Sequence, residues 1–363
     1  MGGVKILKIW LDFCEPKSVT MLRSLYDKLL ESHDVFITAR DFDSTFYLLD
    51  KWGVDYIPVG KYGGKDLIGK LRSYSERLSE LIEIIYNENP EFLFCITSPE
   101  ALRVSFGLQI PNIMFNDEPR SYGPCSMTLP YANQVIVPKC IPLEWYFEYG
   151  LKEEKIIRFN GIDEVGWLSN FEPNEEILKN LNLSKENYVI CRTEPTKAGY
   201  LVNEMEPHET QLATIIPEII QKTTDFKFLI ITRNEEQFDF LTKKFESRIK
   251  EDKILVYRGL ENLSQIMYFA KLVLTGGGTM VRESALLGVP SIEFFPLETY
   301  PQEQFLIDNG FPLKHFHDAK DSIKQALEYL EGNYRIDTSK KIEELENPIV
   351  IGIEEFEKRV KTE

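Results

Sequence analysis

Along this chain an apolar, β-rich run is followed by a segment of helical spacing, again and again, with one interruption. Residues 5–11 (KILKIWL) and 20–31 open the series, followed by 34–39 (DVFITA), 43–52, 54–59 and the long amphipathic stretch 67–87. Runs at 92–97, 111–115 and 133–138, with a short helical segment at 99–108, close the first half. Around 160–175 the periodicity lapses into NGIDEVGWLSNFEPNEE, which reads as a linker. Alternation restarts with strands at 187–192, 227–232, 253–257, 271–275 and 290–295. The helical segments between them lie near 209–222, 234–249, 262–270 and 280–287, with further helices near 319–332 and 350–361. Strand and helix in alternation imply parallel sheets covered on both faces. The expected fold class is therefore α/β, with two facing Rossmann-like, doubly wound domains. The expected boundaries are an N-terminal domain over 1–165, a C-terminal domain over 166–345, and a C-terminal helix over 346–363 that can pack back on the first domain.

Charge narrows the partners. A net charge of −16 with no basic stripe argues against nucleic acid and disfavours anionic membrane surfaces. No apolar run approaches the roughly 20 residues of a membrane span, and the N-terminus lacks a signal-peptide pattern. The five cysteines, Cys14, Cys95, Cys125, Cys140 and Cys191, are scattered without a CxxC pair, as in a reduced cytoplasmic protein. The four histidines show no zinc-ligand motif. No metal and no cofactor are expected.

The stretch KLVLTGGGTMVRESALLGVPSIEFFP, residues 271–296, places Gly276, Gly277 and Gly278 between a strand and a helix. In doubly wound sheets, ligands sit beyond the carboxyl ends of the strands. A helix start there offers unpaired N–H groups and the positive end of the helix dipole to an anion. Glycines let phosphate oxygens approach the backbone, Thr279 adds a hydroxyl, and Glu283 lies one turn on, where it can accept from a ribose diol. The plain alternative is a tight turn followed by a solvated glutamate. The spacing does not fit the G-x-G-x-x-G dinucleotide fingerprint.

Loop glycines, threonine, glutamate and then ALLGVP resemble the nucleotide-sugar site of GT-B-fold glycosyltransferases, notably the lipid-linked N-acetylglucosaminyltransferases. The UDP-N-acetylglucosamine 2-epimerases share that architecture. The nearest resemblance is to an uncharacterised, largely archaeal family in the same clan, carried by IWLDFCEP (9–16), FITARD (36–41), CRTEPTKAGYL (191–201) and GGGTMVRESALLGVPSIEFFP (276–296). The resemblance implies that Gly277, Gly278 and Thr279 hold a diphosphate and Glu283 the ribose. It also implies that Glu298, Gln302 and Gln304, in the following loop, contact the sugar. The transferases place the glutamate three residues after the threonine, whereas here Glu283 is four after Thr279.

Other constellations border the same strand ends. Arg192 and Lys197, in CRTEPTKAGY, are cations suited to neutralising a departing diphosphate, unless Arg192 only closes a salt bridge. The epimerases carry a histidine motif in this region and this chain has none, which counts against epimerase chemistry. In the first domain Asp12 ends the first strand, and Lys17 and Ser18 start the first helix, the expected place for acceptor-side groups. Asp12 is a candidate general base or simply a turn cap. FNDEPRSYG (115–123) adds Asp117, Glu118 and Arg120. Of these carboxylates Glu118 and Asp12 are the expected catalytic pair, with Arg120 on the acceptor side. Two motifs are set aside. GKDLIGKL (64–71) nearly spells a P-loop, but Leu71 stands where Ser or Thr must meet magnesium. The DxD of ARDFDS (39–44) places Asp43 where it caps a helix.

The expected function is therefore inverting, metal-independent transfer of a sugar, from a UDP-linked donor to an unidentified glycan or lipid-linked acceptor. The alternatives are a 2-epimerase acting on the same donor and a non-catalytic nucleotide-sugar-binding protein.

Overall fold

The computed structural model describes residues 5–64, 66–196, 205–223 and 225–361. They form two compact units, residues 1–169 with 345–363, and residues 170–344.

The first unit is built on a seven-stranded parallel sheet: β1 (Lys8–Phe13), β2 (Asp34–Asp41), β3 (Ile57–Lys61), β4 (Phe92–Ile96), β5 (Asn112–Phe115), β6 (Gln134–Pro138) and β7 (Ile156–Phe159). Its order is β3-β2-β1-β4-β5-β6-β7. Successive side chains of a strand point to opposite faces, and β1 shows the result. Ile9, Leu11 and Phe13 enter one buried cluster, while Trp10 enters the other, with Leu81 and Ile85 of the Leu67–Glu88 helix. Covering both faces is what turns the strands into continuous apolar runs. The C-terminal helix Pro348–Val360 belongs to this unit, with Phe356 set among Phe92 and Phe94 at ring distances of 4.9 and 5.6 Å. Gly352 lets that helix close on β5, since a β-carbon there would meet the Phe115 ring at 2.8 Å.

The second unit repeats the design with six parallel strands: β8 (Tyr188–Arg192), β9 (Lys227–Ile231), β10 (Ile254–Tyr257), β11 (Leu272–Thr275), β12 (Ser291–Phe294) and β13 (Leu313–Phe316). The order is β10-β9-β8-β11-β12-β13. Val189, Cys191, Phe228, Ile230, Leu272 and Leu274 fill one face against the Leu212–Lys222 and Ala319–Glu331 helices. In both units the winding direction reverses beside the first strand, between β1 and β4 and between β8 and β11. Loops diverge at such a reversal, leaving a crevice beyond the carboxyl ends of the two strands. Among the described residues, no helix is long and apolar enough to cross a membrane.

Candidate functional site

In the second unit the glycine loop stands at that reversal. The register pairs Thr275 with Arg192, and the Gly276 N–H donates to the Arg192 carbonyl at 2.9 Å. The Thr275 hydroxyl closes the turn by donating to the Gly277 carbonyl (2.8 Å) and accepting from the Gly277 N–H (3.1 Å). Each glycine answers a different neighbour. A β-carbon on Gly276 would strike Glu194, meeting its side chain and then its backbone N and Cα at 2.8 and 2.9 Å. On Gly277 it would meet only the end of the Arg233 side chain, Nη2 at 2.5 Å. On Gly278, the first residue of the Gly278–Leu286 helix, it would meet the Glu303 carboxylate and Arg282 Nη1 at 2.7 Å. Gly276 thus serves backbone packing, while Gly277 brings a cation to the helix start.

Arg233 is held for that task. Its Nε donates to the Thr193 carbonyl (2.9 Å) and its backbone N–H to Thr193 Oγ1 (3.1 Å). Glu194 is a latch. Fully buried, it accepts from Thr210 Oγ1 (2.6 Å) and the Gln211 N–H (2.9 Å), and burial raises its pKa while those bonds oppose the rise. Glu283 accepts from Ser264 Oγ at 2.9 Å, which orients its carboxylate. Thr279 is exposed on the first turn. Arg192 is half-buried at the end of β8, and Lys197 lies outside the described residues.

The residues expected to contact the sugar follow β12. Glu298 is exposed, Gln302 is buried, and Gln304 is exposed and donates to Asp308 at 2.7 Å. Glu303, in the same segment, reaches the glycine loop, with its carboxylate beside Gly278 and paired with Arg282 at 2.9 Å. His315 secures the loop, with Nδ1 2.8 Å from Glu293 and Nε2 3.1 Å from the Leu297 carbonyl.

In the first unit the candidates separate into two groups. Asp12 lies on the Trp10 face of β1 and is fully buried. Its carboxylate accepts from Thr38 Oγ1 (2.5 Å), Ser98 Oγ (2.5 Å) and Arg77 Nη2 (2.7 Å), while Arg77 also donates to Glu100 (3.0 Å) and the Val59 carbonyl (3.0 Å). Removing one partner of such a buried pair costs about 3–5 kcal/mol. This corrects the sequence expectation: Asp12 neutralises a buried arginine and is not presented to a substrate. Ser18 is also buried, accepting the Glu15 N–H at 3.3 Å as a helix cap, in place of the expected acceptor-side role. Glu118 is about half exposed and faces Arg120 at 3.4 Å.

Lys17 gathers the other group. Its ammonium is 2.6 Å from Asp117, after β5, and 2.9 Å from Asp163, after β7. Asp163 is 1% exposed. Burial raises its pKa to about 7, against the pull of Lys17 and with the help of Asp117 and Glu164. Glu15 is raised too, again by burial first. The Arg40 guanidinium fixes the β1–helix turn by donating to the Cys14 carbonyl from Nε and Nη2, at 3.1 and 2.9 Å. Asp163 sits in the stretch read as linker. The apolar run IIRF just before it was the available signal.

Two doubly wound parallel-sheet units, each with its candidate groups at strand carboxyl ends, define the GT-B class of α/β proteins. Within it, the chain belongs to the family described as Protein of unknown function (DUF354), matched over residues 7–361. The uncharacterized protein MJ0665 of Methanocaldococcus jannaschii is 28% identical over 333 residues, 90% of this chain and 92% of that protein. Among solved structures, the Neisseria meningitidis UDP-GlcNAc 2-epimerase bound to UDP-GlcNAc superposes with a TM-score of 0.70 at 15% identity, covering 97% of this chain and 100% of that one. The UDP-GlcNAc 2-epimerase of Methanocaldococcus jannaschii gives 0.68 at 15% identity, covering 94% and 96%. The fold is theirs.

Proposed function

We propose that this protein is an enzyme of nucleotide-sugar chemistry, transferring the sugar of a UDP-linked donor to an acceptor hydroxyl by an inverting, metal-independent displacement. The observation that carries this reading is the glycine loop at the winding reversal, where a helix start and the Arg233 guanidinium meet over Gly277. Backbone N–H groups, helix dipole and guanidinium together suit a diphosphate. In this reading Gly276, Gly277, Gly278 and Thr279 line the diphosphate, and Glu283, oriented by Ser264, takes the ribose diol. Arg192, Lys197 and Arg233 stabilise the leaving UDP, while Glu298 and Gln302 lie in the sugar-side loop. Proton transfer falls to Lys17, Asp117 and Asp163 instead of Asp12. A carboxyl whose pKa lies near neutrality is matched to taking a hydroxyl proton at physiological pH.

A second reading, 2-epimerisation, is favoured by the carboxylate set around Lys17, because moving a proton at a sugar carbon needs groups that donate as well as accept. The absence of a histidine from residues 191–201 weighs against it.

The test common to both readings is a thermal-shift comparison. UDP or UDP-N-acetylglucosamine at a hundredfold excess over Kd is expected to stabilise the fold by about 2.7 kcal/mol, and GDP and TDP much less. Equal, negligible shifts with all of them would remove the nucleotide-sugar reading altogether.

A further inference from the structure

Three polar side chains interrupt the apolar strands of the second sheet at one level. Thr275 of β11, Glu293 of β12 and His315 of β13 are register partners in turn, so all three lie on one face. It is the face opposite the cluster that holds Leu274, Ile292 and Phe294, and Thr275 is the residue that closes the glycine turn. The His315 and Glu293 side chains are 5% and 6% exposed. The His315 ring meets an acceptor at each nitrogen: Glu293 at Nδ1 (2.8 Å) and the Leu297 carbonyl at Nε2 (3.1 Å). A carbonyl only accepts, so Nε2 carries a hydrogen. The Nδ1 contact then needs a second proton, on the ring or on the carboxyl, because a neutral ring would turn a lone pair toward the carboxylate. The pair therefore holds one proton more than a neutral histidine beside an ionised glutamate. Burial opposes a charged ring, but the bonds to Glu293 and the Leu297 carbonyl, with Glu303 nearby, outweigh it and raise the pKa above the 6.5 of a free histidine. His317, of the same strand, also faces the ring at 4.9 Å between centroids, and Arg282 is paired with Glu303.

Leu297 lies between β12 and the Pro301–Asp308 helix, whose third residue is Glu303. Glu303 in turn sets Arg282 beside Gly278. Loss of the extra proton leaves one ring N–H for two acceptors. The charge-assisted bond to Glu293 is the stronger, so the Leu297 carbonyl loses its donor. We propose that His315 is a positioning residue of the nucleotide-sugar site: while it shares a proton with Glu293 it pins Leu297, and through the helix start that follows it holds Glu303 and Arg282 against the glycine loop. Donor binding is thereby coupled to one proton at the His315–Glu293 pair, and it weakens as that proton leaves with rising pH. The inference rests on the nucleotide-sugar reading of the glycine loop, whichever reaction the donor undergoes.

The experiment is calorimetric titration of the full-length chain with UDP-N-acetylglucosamine from about pH 6 to about pH 9. The diphosphate of this donor is esterified at both ends and keeps its charge over that range. Wild-type affinity is expected to fall by about tenfold, the effect of one pKa unit of coupling. Titrations in buffers of different ionisation enthalpy are expected to show proton uptake on binding toward the upper end of the range. Glu293→Gln separates this from a merely structural role. Its amide can donate to Nδ1 while the Nε2 hydrogen goes to Leu297, so no extra proton is needed. That variant should keep the low-pH affinity of the wild type to the top of the range, whereas His315→Ala should bind weakly throughout. Wild-type binding that is flat with pH and takes up no proton overturns the inference and leaves the nucleotide-sugar reading in place. So does a Glu293→Gln protein whose affinity falls as the wild type's does. No binding at any pH, by contrast, removes that reading and the coupling with it.

Discussion

Lys17 carries one positive charge and faces two carboxylates, so one of them gains by keeping a proton. Asp163, 1% exposed against 9% for Asp117, is the more costly to ionise. Its pKa of about 7 lies well above the 3.8 of a free aspartate. The folded state therefore binds more protons than the unfolded chain between those two values. The stability this group contributes is full below pH 3.8 and is lost as the pH rises through about 7. Melting temperature should accordingly fall across that window more steeply in the wild type than in Asp163→Asn. Parallel curves for the two proteins would mean that Asp163 is ionised throughout. At this scale the sequence misleads in a specific way. Asp12 and Asp163 both follow apolar runs and look alike in one dimension. Only the arrival of Arg77 from a helix 65 residues away tells the neutralised carboxylate from the one beside Lys17.

The glycine loop shows what an element adds to its residues. Three successive glycines between a strand and a helix announce close approach, and the sequence carries that much. It cannot say who approaches. Gly276 is met by the backbone of Glu194, which cannot retreat, whereas Gly277 is met by the tip of Arg233, which can. Gly277 also has an extended φ of 179°, open to any residue. Gly276→Ala should therefore cost about 1–3 kcal/mol of stability, as overpacking does. Gly277→Ala should leave the melting temperature nearly unchanged while weakening UDP binding, because the new methyl pushes Arg233 off the helix start. Calorimetric titration beside thermal unfolding separates the two, and a Gly277→Ala protein that binds UDP as the wild type does would remove the loop from the binding site. The strands were legible for a related reason: parallel strands buried on both faces become apolar runs. The two that the periodicity missed, β7 and β13, are four-residue edge strands carrying Arg158, Lys314 and His315. Missing β7 is what hid Asp163 inside an apparent linker.

For the molecule as a whole, one chemical question divides the two readings of its function: whether the donor alone suffices. Epimerisation at C2 gives product from UDP-N-acetylglucosamine without a second substrate, and needs groups on the sugar that both remove and return a proton. Transfer needs one base and an acceptor, and its donor-only reaction is slow hydrolysis to UDP. The chain offers cations for a departing diphosphate in Arg192 and Arg233, and one carboxyl near neutrality in Asp163. It offers no histidine in residues 191–201, the region where the epimerases, by resemblance, carry a histidine motif. We therefore expect no C2 epimer from UDP-N-acetylglucosamine alone, and UDP release that rises when glycan or lipid-linked acceptors are screened. Asp163→Asn should reduce the acceptor-stimulated rate by about 10²–10⁴-fold, the span of general-base catalysis, while donor affinity is retained. Proton NMR of the donor-only reaction decides between them: the 2-epimer accumulating without acceptor would overturn transfer and assign proton exchange at the sugar, by the same carboxylates around Lys17, to this protein.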